Sequence, residues 1–160
     1  MSTPASFEDL YDFETQFEDA FAAVLKANGI SNVFVSRDAE RIQTPGVILR
    51  FVTGSYDPHQ YRMKGTPPRQ VAIGFDGTLF VDVVTSRNMD DVKHGPFRGL
   101  VRYLLSPAAN VISSVNMPCL QLLQLYATGG TPTMLDEKEQ DRSGLHYDAK
   151  FAIRDSAWPA

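Results

Sequence analysis

The chain reads as an α+β domain, a mostly antiparallel β-sheet with an N-terminal helix and a second amphipathic helix packed on it. Three observations predict this. An acidic helical stripe opens the chain, period-two β-branched segments fill the middle, and an alternating strand lies close to the C-terminal end. With 160 residues, 43% of them hydrophobic, one domain over residues 1–160 should hold the single core.

The first element is "FEDLYDFETQFEDAFAAVLKANG", in which Leu10, Phe13, Phe17, Ala20, Phe21, Val24 and Leu25 recur at helical spacing and form one apolar stripe. Ser6 followed by Asp9 resembles a capping box, and Asn28-Gly29 supplies the left-handed residues that end helices. Glu8, Asp12, Glu14, Glu18 and Asp19 are expected on its solvent face. Strands follow in "NVFVSR" and, after Thr44-Pro45, in "GVILRFVTG". The polar, proline-bearing stretch "SYDPHQYRMKGTPPRQ" reads as a long connection or as the arm of an extended hairpin.

In "RQVAIGFDGTLFVDVVTSR", two strands are expected around an Asp76-Gly77 turn, because a two-residue Asp-Gly turn has the twist that hairpins favour. The second of these strands, Thr78 to Arg87, is apolar on both faces, with Leu79, Val81 and Val83 on one and Phe80 and Val84 on the other. That pattern suits a central strand covered on both sides, or covered by a helix on one side and a neighbouring protein on the other. "GPFRGLVRYLLSP" predicts an amphipathic helix stopped at Ser106-Pro107, with Asp90 and Asp91 as an upstream extension. "CLQLLQLYATGG" reads as a strand closed by Gly129-Gly130, although its leucine spacing also fits a helix. A polar loop, "TPTMLDEKEQDRSG", then leads to the terminal strand from Gly144 to Trp158, in which Leu145, Tyr147, Ala149, Phe151 and Ile153 point one way.

Chemical signatures are sparse. His59, His94 and His146 are far apart and lack zinc spacing, and each reads as a satisfied or exposed histidine. Cys119 follows a proline and reads as a small core residue; a single cysteine forms no intrachain disulfide, so a reducing cytosol is the default compartment. The carboxylates Asp136, Glu137, Glu139 and Asp141 lack the ligand order of an EF-hand. No phosphate-binding glycine loop or nucleophile elbow is present, so neither a catalytic residue, a metal nor a cofactor is assigned and no enzymatic activity is expected. The start "MSTPASFEDL" does not resemble a leader, and no apolar run approaches a bilayer span, so no membrane is expected as a partner. A net charge of −4 disfavours tight non-specific binding to nucleic acid. Arg62, Lys64 and Arg69, beside Tyr56 and Tyr61, form a small basic cluster whose choices are an exposed loop contacting protein or solvent, or a grip on single strands.

The acidic N-terminal helix, the segment "GFDGTLFVDVVTSR", the helix with "GLVRYLL" and the terminal "LHYDAKFAIRDSAW" together resemble the tail-terminator, or tail-completion, proteins of long-tailed bacteriophages. The resemblance spans roughly residues 7 to 158. Phe151, Ile153, Arg154, Asp155, Ala157 and Trp158 match the family's closing pattern. It implies a structural virion protein, assembled in the host cytoplasm, that forms a homo-oligomeric and typically hexameric ring at the head-proximal end of the tail tube. Such a ring ends tube polymerisation, meets the tail tube protein on one face and a head-completion or neck protein on the other, and passes genomic DNA through its lumen without specific recognition. On this reading Arg62, Lys64, Arg69, Arg154 and Trp158 are candidate interface residues, and the loops Tyr56 to Arg69 and Thr128 to Gly144 face partners or the lumen. The alternatives are another head-tail connector or neck protein, and, in a different class, a small ligand-binding or enzymatic α+β domain with His94, Cys119 or Asp82 in its pocket.

Overall fold

A computed structural model describes residues 6–56, 60–65, 67–88 and 91–158. The stripe at the N-terminus forms two helices, α1 (Phe7–Tyr11) and α2 (Phe13–Ala27), which meet at Asp12. Ser6 caps α1 by accepting from the Asp9 N–H, and the Asp12 carboxylate accepts from the Thr15 N–H to start α2. One continuous helix was expected; the break arises because Asp12 ends one helix and caps the next. Gly29, at φ +100°, provides the left-handed turn after α2.

The strands are β1 (Val33–Val35), β2 (Gly46–Tyr56), β3 (Tyr61–Lys64), β4 (Arg69–Ala72), β5 (Gly74–Ser86), β6 (Leu120–Leu135) and β7 (Gln140–Ile153), with helix α3 (His94–Leu104) between β5 and β6. Five of them form a sheet in the order β1-β2-β5-β7-β6, antiparallel except for the β1–β2 pair, and β3 and β4 form a separate hairpin. The α+β expectation holds. So does the hairpin-arm alternative for the proline-bearing stretch, of which residues 57–59 and 66 lie outside the described residues.

Odd-numbered residues of the three central strands share one face. Val47, Leu49 and Phe51 pair with Val83, Val81 and Leu79, and these in turn oppose Ser143, Leu145 and Tyr147. Both α2 and α3 cover that face, and Phe17, Phe21, Phe97 and Val101 join those strand residues in one core. Phe17 stacks on Phe51 at 3.9 Å between ring centroids, and Phe151 meets Phe17 edge-on at 4.8 Å. On the opposite, even-numbered face Ile48 and Val84 are buried at 1% and 0% exposure. That face also carries Arg50, Val52, Phe80, Asp82, His146 and Asp148, with Val52 55% exposed.

Four expectations are corrected. Asp76-Gly77 is no turn, because β5 runs straight through it. Asp76 instead fills a bulge in β2, where its carboxylate accepts from the Ser55 N–H at 2.7 Å. Gly77 is small because a Cβ there would run into the Phe51 ring and lie 2.8 Å from the Val52 carbonyl oxygen. Gly129-Gly130 does not close β6, which continues to Leu135; the expected polar loop shrinks to the turn at residues 136–139. The terminal strand stops at Ile153 and a 3-10 turn, Asp155–Ala157, follows. Helix α3 starts at His94, so Asp91 is not part of it; Asp90 lies outside the described residues.

The acidic face of α2 is also only partly solvated. Glu18 is 4% exposed and accepts from the Ser36 N–H at 2.9 Å, the Ser36 hydroxyl at 2.6 Å and the Phe51 N–H at 3.3 Å. One turn earlier, Glu14 accepts from the Thr53 N–H and hydroxyl. Because β1 is three residues long and pairs only with Val47 to Leu49, these carboxylates take over the donors of β2 beyond its end. Glu18→Ala strands the Phe51 and Ser36 donors and should lower unfolding free energy by about 2 kcal/mol. The check is a urea titration, in which Glu18→Gln should recover part of the loss.

Candidate functional site

The residues singled out from sequence converge on one corner of the molecule. The β3–β4 hairpin brings Arg62 and Lys64 over the 3-10 turn, where the Asp155 carboxylate accepts from Arg62 and from the Lys64 ammonium at 2.8 Å. Lys64 and Arg62, in that order, hold the Asp155 carboxyl below its ordinary range through these hydrogen bonds. The Lys64 ammonium also sits 5.9 Å from the centre of the Trp158 ring. Trp158 in turn lies edge-on to Phe7 at 6.5 Å and Tyr11 at 6.3 Å, on helix α1. Arg154 is spent on the backbone, its Nε donating to the Leu120 carbonyl at 2.9 Å. Arg69 faces Lys64 in the hairpin register; its side chain lies outside the described residues. The corner is therefore a clasp joining the N-terminal helix, the hairpin and the C-terminal turn. Four of the five candidate interface residues make their visible contacts within their own chain.

A second polar cluster, not anticipated as a group, lies at the other end of the helix layer. His94 opens α3 with Nδ1 2.9 Å from the Thr85 hydroxyl and Nε2 2.8 Å from the Ser143 hydroxyl. The distances match a serine-histidine pair, but Thr85 and Ser143 are 2% and 1% exposed, so no substrate reaches either hydroxyl. The cluster pins the start of α3 to β5 and β7. His94 is the satisfied histidine its spacing suggested, His146 packs edge-on to Phe80 at 4.9 Å, and His59 lies outside the described residues. Burial first, and then the nearby Arg98, lower the His94 pKa, with Asp141 opposing.

Cys119 is buried, and that burial, reinforced by the charge of Asp9, pushes its thiol up and away from the reactive thiolate. Among the described residues no group of three or more acidic, histidine or cysteine side chains could hold a metal ion, and no helix is long and apolar enough to cross a membrane. A groove of about 630 Å³ runs between β2, β5, β7 and the start of β6 over Phe75, Phe151 and Leu123, with Asp76 and Lys150 at its polar rim. His94, Cys119 and Asp82, the residues a ligand pocket was expected to use, do not line it.

The outer strand β6 is the other conspicuous surface. From Leu123 onward it is exposed apart from the half-buried Leu125, and Leu123, Tyr126, Met134 and Leu135 are 42 to 64% exposed. Its far side bears no strand among the described residues. No known protein-family model matches the chain, and no curated protein matches it.

Two outcomes follow. Trp158→Ala removes the packing on Phe7 and Tyr11 and the cation contact, and should cost about 2 kcal/mol in a denaturant titration. For His94 the folded pKa lies below the ordinary value of 6.5, so the folded state binds fewer protons than the unfolded one. The stability it contributes is complete above that pH and is lost as pH falls through the folded value. Urea midpoints measured down from neutral pH should decline more steeply in the native chain than in His94→Gln.

Proposed function

We propose that the chain is a structural subunit of a homo-oligomeric ring that ends tail-tube growth in a long-tailed phage. The observation that carries this reading is β6, a sixteen-residue outer strand with four large apolar side chains in solvent. A solitary domain gains nothing from that exposure, whereas a subunit with neighbours buries it. The even-numbered sheet face supports the same reading, since beyond the buried Ile48 and Val84 it leaves Val52 and Phe80 facing outward in company with charges. Those charges are balanced, Arg50 lying 3.9 Å from Asp82, with Lys150 and Asp148 nearby in register. A conduit for DNA works with such a balance, because a strongly cationic wall would hold phosphates by counterion release. The sequence resemblance supplies the rest: the tube end, the neck side and the typical count of six.

The decisive measurement is tail length in particles assembled without the protein. Overlong or headless tails are expected. Tails of normal length joined to heads would overturn the proposal.

A further inference from the structure

We propose that adjacent copies of the chain meet helix to helix, the basic outer side of α3 on one subunit lying against the acidic α1 on the next. The inference rests on the ring reading above, because a closed ring joins one patch of each subunit to a different patch of its neighbour.

Helix α3 turns Phe97, Val101 and Leu104 to the core and leaves Leu100 and Tyr103 41% and 53% exposed. From Lys93 through Leu104 its charged residues are Lys93, Arg98 and Arg102, with no acid among them. Arg98 reaches the Thr133 hydroxyl at 2.7 Å, while Lys93 and Arg102 are exposed and have no anionic partner among the described residues. Gly95 and Gly99 lie one turn apart with open space where a Cβ would stand, so a second backbone can come close.

The complementary patch is at the other end of the helix layer. Six acids and no base lie between Ser6 and Leu25. Glu14 and Glu18 are turned inward, Asp12 caps α2, and Asp19 is held by Arg37 at 3.0 Å. Glu8 and Asp9 remain exposed on α1 without a cationic partner among the described residues. Arg62 and Lys64, at the clasp beside α1, are committed to Asp155. Tyr11 meets Phe75 at one end of β5, and His94 meets Thr85 near the other, ten residues away and thus about 30 Å along a strand. Two opposite-charge surfaces that far apart cannot satisfy each other within one chain. They can do so between copies arranged head to tail.

The test uses two charge-reversed full-length chains, Lys93→Glu/Arg102→Glu and Glu8→Lys/Asp9→Lys, with circular dichroism to verify the fold and light scattering to follow assembly. The native chain should assemble, more weakly at high salt. Each variant alone should lose assembly at least tenfold, since like charges then face each other. An equimolar mixture should regain it, because every contact in an alternating ring again pairs opposite charges. A second readout is disulfide capture between Glu8→Cys in one chain and Tyr103→Cys in another, both carrying Cys119→Ser; a cross-linked product is expected only from the mixture. If the native chain assembles and the reversals leave it unchanged, or the mixture fails to recover, the helix contact is overturned and the ring reading stands. If the native chain stays monomeric even with tail tube present, both fall.

Discussion

The unbroken ladder between β5 and β7 is the constraint on which the rest of the structure depends. It pairs every residue from Gly74 to Ser86 with a partner from Ala152 to Gln140, so odd residues of both strands share the helix-covered face. A slip of β7 by one residue would turn His146 and Asp148 into the core and Leu145, Tyr147 and Phe151 out of it. The ladder also fixes the aromatic cluster at its far end. Phe151 lies within 6 Å, centroid to centroid, of Phe13, Phe17, Phe51 and Phe75, and so ties α2, β2 and β5 to the last strand. The clasp at Asp155 and Trp158 begins only two residues beyond Ile153, so its position is inherited from this register.

The two edges of the sheet are treated differently, and that asymmetry bears on assembly. On the β2 side the carboxylates of Glu14 and Glu18 complete the edge that β1 leaves unfinished, so this side has its donors satisfied from within. On the other side β6 is uncovered, but its register with β7 shifts at Leu122/Gln124, at Ala127/Gly129 and at Thr131/Met134, and Pro132 lies within it. Bulges and an edge proline are the means by which sheets discourage uncontrolled strand addition. A neighbour should therefore engage β6 through side chains such as Tyr126 and Met134 rather than by extending the ladder. This agrees with a ring whose contacts also use helices.

Periodicity made the elements legible where one face is buried, as in α2, α3 and the terminal strand, whose alternation from Leu145 to Ile153 is matched by burial. It misled where a local exception alters the period. Leu122 and Leu125 both turn toward the core because the bulge between them inserts a residue, which is why the leucine run also fits a helix. Asp76-Gly77 has turn chemistry, yet its requirements come from across the sheet, from a bulge at Ser55 and the ring of Phe51. The inward turn of Glu18 had no local signal, since what draws it in is the shortness of β1. At the candidate site, charge and aromatic character marked Arg62, Lys64, Arg154 and Trp158, but not that Asp155, 93 residues from Arg62, gathers the two cations.

Partition of charge into satisfied and unsatisfied groups separates the surfaces that hold the fold from those on which the proposed contact rests. At the clasp, a partner carboxylate approaching Arg62 or Lys64 would have to displace Asp155, and a partner ring on Trp158 would compete with Phe7 and Tyr11. Exchange of one ion pair for another in solvent gains little, because exposed pairs are each worth about 0 to 1 kcal/mol. Lys93, Arg102, Glu8 and Asp9 face no such competitor among the described residues. A contact there creates new pairs, and it also removes Leu100 and Tyr103 from water. Selection among the basic residues of this chain thus follows from which of them the fold has already used, and under the proposed ring it is the helix layer, more than the clasp, that meets another copy.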